Sequence, residues 1–485
     1  MQKKVLIIGA GISGLAAGIY AQLNGFQAEI VEQNATPGGS CTSWPRQGFT
    51  FDCCVHGLTG SLPGSKMYQL WEELGAVQGR EFRRRDVYSK EADEGGIVFT
   101  AYTDVEKLRA EMMRLAPEDK AVIDEVCDDI KRFAKIDMPV DMTSLDMLLA
   151  LPAMGLFRKY SMPVSTLAAR FTNERLRLAF SRVFGRHDQS AAFTLFTLGL
   201  TSKGDGAYPL GGSLPLVRAM EERYAKLGGK VRYGTRVEGI LVEADLAVGL
   251  RTAAGELRAE AIIAASDWHT TVFDWLGGRY QEHDLQEMLT KLEPSPSLLL
   301  VFLGMKDEAV DVPESVLLPA MRSVDPGDTP TTHLLLERKS FDPAMAPPGK
   351  GVLCVTLPSS YHHWNGLRDN HAGYMAEKNR IASEVLEALE AWRRGTRDQV
   401  EVVEVVTPLS FEKWTGNWKG SYQGWLWTKE ASSTSLDNTL PGLKNLYLAG
   451  QWLSPGGGLH TAALSGRKAV KTLCRDQKVK FRSKV

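Results

Sequence analysis

Residues 3–43 read KKVLIIGAGISGLAAGIYAQLNGFQAEIVEQNATPGGSCTS. Val5 to Ile8 form an unbroken apolar run, the mark of a short strand buried on both faces. Gly9, Gly11 and Gly14 follow at the spacing G-x-G-x-x-G. In that spacing the first glycine allows a tight turn, the second lets backbone approach a pyrophosphate, and the third lets a helix pack close to the strand. A helix is predicted from Ser13 to Asn24, with Leu15, Ile19 and Leu23 on one face and Gly25 placed to end it. Its first turn offers unpaired N–H groups and the positive end of a dipole to phosphate. A second strand, Ala28 to Val31, delivers Glu32 at its carboxyl end, about 20 residues past the glycines, where a carboxylate accepts both hydroxyls of an adenosine ribose.

Gly38-Gly39 follows Glu32 in the pattern E-x-x-x-x-x-G-G, which lets a second stretch of backbone lie against the diphosphate. This start resembles the FAD-binding segment of the amine oxidase and phytoene desaturase superfamily. Three further stretches carry the same resemblance: GGSCTSWPRQGFTFD (Gly38 to Asp52), YPLGGSLPLVRAM (Tyr208 to Met220) and NLYLAGQWLSPGGGLHTAALSGRKAV (Asn445 to Val470). Many amine oxidases have arginine directly after the glycine pair and an aspartate where Gln451 stands. Ser40, the segment Arg46-x-Gly48-Phe49-x-Phe51-Asp52 and A-G-Q-W-x-x-P-G-G-G are instead similar to the carotenoid isomerase and retinol saturase branch.

The resemblance implies an α/β fold: a Rossmann-type, glutathione reductase-like FAD-binding domain with a discontinuous α+β substrate domain. Residues 1–64, 203–290 and 436–485 are assigned to the first, and 65–202 and 291–435 to the second. It implies FAD contacts from Gly9, Gly11, Ile12, Ser13, Gly14, Glu32, Gln33, Gly39, Ser40, Val237, Gly450, Gln451, Gly457 and Leu459. No second G-x-G-x-x-G follows an apolar strand, so a separate nicotinamide-nucleotide domain is not expected.

The chain has 485 residues, enough for two or three domains. Its 44% hydrophobic and 24% charged residues fit a soluble globular protein, and a net charge of -1 gives no field for nucleic acid. The chain opens directly on the first strand, no apolar run reaches the ~18 residues of a span, and the six cysteines lack metal spacing. A cytoplasmic protein with reduced thiols is expected, with Cys53-Cys54 as two small packed side chains.

In the first insertion, Arg80, Arg83, Arg84 and Arg85 beside Tyr88 read as a solvated face. MLLALPAMGLF (Met147 to Phe157) with Arg158, Lys159 and Tyr160 reads either as a peripheral membrane patch or as a buried helix pair. In the second, Trp414, Trp418, Tyr422, Trp425 and Trp427 suggest a flat apolar cavity or ordinary core. The basic end (Lys478, Lys480, Arg482, Lys484) reads as a solvated tail, with lipid headgroups as a second reading.

FAD carries the redox chemistry, so few side chains are obligatory. His56, His460 and Tyr422 are the catalytic candidates, the histidines for proton handling. For His460, a helix-start histidine bonding nearby carbonyls is the plain alternative. The expected activity is desaturation, saturation or isomerisation of carbon–carbon double bonds in a lipophilic isoprenoid or polyene, with an electron acceptor the sequence does not name. A flavin amine oxidase and a redox-neutral isomerase are the alternatives.

Overall fold

The computed structural model describes residues 3–93, 95–141, 151–185, 189–280, 292–306, 312–428, 430–431, 434 and 436–484. The amino-terminal run gives β1 (Lys4–Ile8), β2 (Gln27–Val31) and the hairpin β3 (Ser43–Arg46) and β4 (Phe49–Asp52). The first inserted stretch adds β5 (Phe82–Arg83), β6 (Val87–Asp93) and β7 (Gly96–Tyr102) among helices. The return supplies β8 (Tyr208–Pro209), β9 (Lys230–Arg232), β10 (Val237–Glu243), β11 (Leu246–Thr252), β12 (Gly255–Arg258) and β13 (Ala261–Ala264). Then come β14 (Leu298–Lys306), β15 (Ser315–Val324), β16 (Thr331–Arg338), β17 (Lys350–Pro358), β18 (Val400–Val406) and, near the carboxyl end, β19 (Leu446–Leu448).

Five of these strands make a parallel sheet in the order β19-β13-β1-β2-β9. β1 sits at its centre, and its period-two alternation divides the strand between two cores. Val5 and Ile7 pack with the first helix (Ile12–Leu23) and the last (Leu459–Asp476), whereas Leu6 and Ile8 pack on the side of β10 and β11. The first helix ends at Asn24, and Gly25 takes a φ of +79°, which L side chains rarely adopt.

The first and last helices cross in direct contact at Gly466, and Gly14 lets the first helix pack on the turn before it. A Cβ on Gly14 would sit 1.9 Å from the Gly9 carbonyl oxygen, and one on Gly466 would sit 2.3 Å from the Ser13 carbonyl oxygen. The Ser465 hydroxyl lies 3.2 Å from that of Ser13 and accepts the Gly450 N–H at 2.8 Å, tying the two ends of the chain together.

The second sheet has seven strands, β18-β14-β17-β16-β15-β6-β7, antiparallel except between β15 and β6. One face carries Leu299, Val301, Leu334, Leu336 and Val355 against Ile381, Val385 and Leu389 of the long helix His371–Trp392. The alternate residues point the other way and form a floor opposite the parallel sheet's carboxyl ends. A buried ion pair joins the two halves: Lys339 Nζ lies 3.4 Å from Asp52 Oδ1, with side-chain exposures of 3% and 0%. Asp52 also accepts hydrogen bonds from the Ser213 hydroxyl and N–H and the Cys54 N–H. Removing one partner of such a pair costs about 3–5 kcal/mol.

Two sequence readings change. The basic side chains Lys478, Lys480, Arg482 and Lys484 are exposed, as a solvated tail requires, but the segment is docked: Phe481 packs on Tyr20 at 5.7 Å, and the Arg482 backbone exchanges hydrogen bonds with the Asn24 side chain. Of the apolar stretch at 147–160, residues 147–150 lie outside the described residues. The helix Leu151–Lys159 has no buried residue. Phe157 packs on Phe133 and Phe196, while Leu151 and Met154 are 55% and 61% exposed. All six cysteines are unpaired, in keeping with small packed side chains at Cys53-Cys54.

The helix crossing makes a direct prediction. Gly466→Ala should lower the unfolding free energy by about 1–3 kcal/mol in urea denaturation, because its Cβ meets backbone. Gly155→Ala, with nothing within 4 Å, should leave stability the same or higher.

Candidate functional site

A single cavity of about 1450 Å³ runs from the carboxyl ends of the parallel sheet to the floor of the mixed sheet. At its first end the turn after β1 brings Gly9, Gly11, Ile12 and Ser13 to the wall. The helix starts at Ile12 with Gly11 as its cap and no side-chain capping bond, so its first-turn N–H groups face the cavity unspent by a cap. Gly38 bridges to Gly11 in parallel register, and Gly39 and Ser40 continue the wall. Glu32 is buried. One carboxylate oxygen accepts the Ala10 N–H at 2.7 Å, and the other accepts the backbone and side-chain N–H of Asn34 at 2.8 Å. Gln33 borders the same space and donates to the Trp414 carbonyl at 3.3 Å. Val237 lines it from the start of β10.

The carboxyl-terminal strap closes the other side. Gly450, Gln451, Leu459 and His460 line the cavity, and Gln451 donates to the Tyr422 carbonyl at 3.3 Å. Two predicted contacts do not reach the wall. Gly14 packs under the Gly9 turn, and Gly457 packs against the Gln423 carbonyl, where a Cβ would come within 2.1 Å. Both are required by backbone approach rather than by exposure to a ligand. The remaining twelve predicted contacts, from segments far apart in sequence, share one cavity.

Two glycine-rich helix starts and a buried carboxylate around one cavity suit an adenine dinucleotide. Residues 12–474 match the family described as flavin containing amine oxidoreductase. The chain belongs to this family. It is similar to a 4,4'-diapophytoene desaturase (4,4'-diapolycopene-forming) of Methylomonas sp, 25% identical over 99% of this chain and 97% of that protein. It is also similar to prolycopene isomerase 2, chloroplastic, of an Oncidium hybrid cultivar, 23% identical over 97% of this chain and 84% of that one. Among solved structures, wild-type putrescine oxidase bound to putrescine superposes with a TM-score of 0.60 over 98% of this chain and 100% of that one, at 14% identity, a likeness of fold. The chain is thus an FAD-dependent oxidoreductase of phytoene desaturase-like descent.

In this flavoenzyme the substrate half is less aromatic than the sequence suggests. Trp414 and Tyr422 line the cavity, and Trp414 packs on Trp44 at 4.9 Å. Trp418 instead stacks on His269 at 4.4 Å, Trp425 is buried against Trp452, and Trp427 packs beside Phe193. The arginine cluster is also not simply a solvated face. Arg80 bonds the Leu210 and Pro215 carbonyls and Arg83 pairs with Glu314, while Arg84, Arg85 and Tyr88 line the cavity.

His56 and His460 both border the cavity, in different states. His56 Nδ1 lies 3.1 Å from Glu337 Oε1, a carboxylate on the floor that no sequence motif singles out. The contact fixes the ring and leaves Nε2 for the cavity. Burial pushes His460 down to about 4, with Asp205 opposing, so it is neutral at pH 7. Burial raises Asp267, which lines the dinucleotide end, to about 6.

These two groups act on stability with opposite sign. His460 binds its proton more weakly folded than unfolded, so its contribution falls as pH drops from 6.5 towards 4. Asp267 binds its proton more tightly folded, so its contribution rises as pH drops from about 6 to 3.8. The melting temperature of His460→Asn minus that of the parent should therefore increase steadily from pH 6.5 to pH 4, measured by calorimetry in matched buffers.

Proposed function

We propose that the chain binds FAD along Gly9–Ser13, Glu32, Gly39–Ser40, Val237 and Gly450–Leu459. With it the chain desaturates, saturates or isomerises carbon–carbon double bonds in a lipophilic isoprenoid or polyene. The observation that carries the reading is the convergence of both helix starts and Glu32 on a cavity that continues over a leucine-bearing sheet face. The residues fit the cofactor. The Gly11–Gly38 approach leaves room for diphosphate, Glu32 is held rigid for ribose hydroxyls, and the last helix directs its positive end at the cavity.

Bound FAD supplies the two-electron redox step. The protein's residues orient and shield. Glu337 holds the His56 ring, His56 takes or returns the proton, and Tyr422 with Trp414 packs over the substrate. Neutral His460 accepts or donates a hydrogen bond without adding charge. An amine substrate is disfavoured, because its ammonium would meet Arg84 and Arg85 at the cavity wall. A lipophilic substrate also needs a donor phase, and Leu151 and Met154 are proposed to touch a membrane surface. No helix among the described residues is long and apolar enough to cross one.

The test is anaerobic mixing of the yellow protein with phytoene or prolycopene. Loss of the oxidised-flavin absorption band, or product formation without it for an isomerase, is expected. No change with any polyene, and reduction by amines instead, would reject the reading. Glu32→Ala should lower FAD retention about tenfold on gel filtration. His56→Ala should cut turnover about 10²-fold with FAD still bound. Leu151→Asp with Met154→Asp should reduce co-sedimentation with liposomes, and unchanged binding would remove the membrane surface from the proposal.

A further inference from the structure

The floor of the cavity can be read row by row from the strand register. Phe302 pairs with Cys354, Cys354 with Glu337, and Glu337 with Ser315. Two residues along, Leu300 pairs with Thr356, Thr356 with Leu335, and Leu335 with Leu317. The second row is an apolar strip, and the first is polar and adjoins His56 through Glu337.

Two guanidinium groups on the cavity wall have little to bind, Arg85 beside the polar row at Glu337 and Arg84 beside Gly204. Arg84 lies against the Gly204 backbone and makes no hydrogen bond or ion pair among the described residues. Arg85 keeps its Nε buried without a hydrogen-bond partner, and its Nη1 is 3.9 Å from Glu337 Oε1, the oxygen that His56 already engages at 3.1 Å. The nearby Asp205 carboxylate is occupied by the N–H groups of Gly60, Ser61 and Gly206. Of the other arginines on the wall, Arg182 is paired with Glu91 at 2.9 Å, Arg368 is paired with Glu412, and Arg236 stands next to Val237 at the dinucleotide end.

Arg84 is exposed and Arg85 half-buried on the cavity wall, so a hydrocarbon that filled this space would cover both guanidinium groups and return no acceptor, which is unfavourable for cations losing water. An oxyanion would satisfy both, in the geometry guanidinium groups favour. Resting on the reading above, we propose that the substrate is an amphiphile. An anionic end, carboxylate or phosphate monoester, sits on Arg84 and Arg85, and an unsaturated chain lies along the Leu300–Leu335–Leu317 strip. Arg85 and His56 flank the same Glu337 oxygen, so the anchored end stands beside the histidine assigned to proton handling.

The test uses the FAD-loaded protein and perturbation of its flavin absorption by geranylgeranoic acid, its methyl ester, geranylgeranyl phosphate and phytoene. The acid or the phosphate is expected to bind roughly 10- to 100-fold tighter than the ester and phytoene, and which of the two leads identifies the oxyanion. Arg84→Gln with Arg85→Gln should remove that preference while leaving ester affinity unchanged within about twofold. Raising ionic strength should weaken the acid and spare the ester. Equal affinity of acid, phosphate and ester overturns the proposal even where the polyenes turn over, and so does a preference that survives in the double variant. Should that variant fail to fold, the comparison of ligands on the parent protein still decides. Failure of every polyene to perturb or reduce the flavin counts against the activity itself, a different result from loss of the acid–ester difference.

Discussion

The site depends on how closely two helices from opposite ends of the chain approach. Gly466 lies against the Ser13 carbonyl and Gly14 against the Gly9 carbonyl, with no room for a methyl group at either. That contact sets where both helix starts point. Each start carries a partial positive charge and unpaired N–H groups. Ser465 then locks the arrangement by touching Ser13 and Gly450 together. Backbone geometry, more than any side chain, builds the dinucleotide end of the cavity.

A different kind of bond governs the substrate end. Asp52 and Lys339 are almost fully buried and belong to the amino-terminal hairpin and the mixed sheet. Asp52 also holds the start of the helix Ser213–Lys226 through Ser213. One carboxylate therefore fixes the floor relative to the nucleotide turn. Such a pair adds little net stability over well-packed apolar groups, but it tolerates no loss of either partner. Its value here is registration: Glu337, near the end of β16 and two residues before Lys339 just past it, meets His56, four residues after Asp52.

The nucleotide end was legible in the sequence because its signals are local. A strand, a glycine spacing and an acidic residue within one short run fix each other's geometry, and the bounds moved by only a residue or so. The floor was not legible. β14 and β16 read as continuous apolar runs, so which alternate residues faced the cavity depended on a helix packing beneath them. The tryptophans left cavity and core both open for a related reason. Aromatic density marks packing: Trp425 is buried against Trp452 and Trp418 is half-buried against His269, away from the ligand space. Arg84 and Arg85 looked like surface charge because exposure in sequence terms cannot separate bulk solvent from a large open cavity.

The placement of β1 has a consequence for how the molecule is made. The strand is synthesised well before its neighbour β13 and the outer strand β19, which lie more than 250 and 430 residues further along the sequence. The cavity wall likewise lacks Gly450, Gln451 and the helix Leu459–Asp476 until that distant segment has been made. Pairings of such long sequence separation form slowly and leave an unpaired apolar edge in the interval. The central strand therefore waits, part-paired, for segments made much later, and the cavity closes only once its carboxyl-terminal strap has docked.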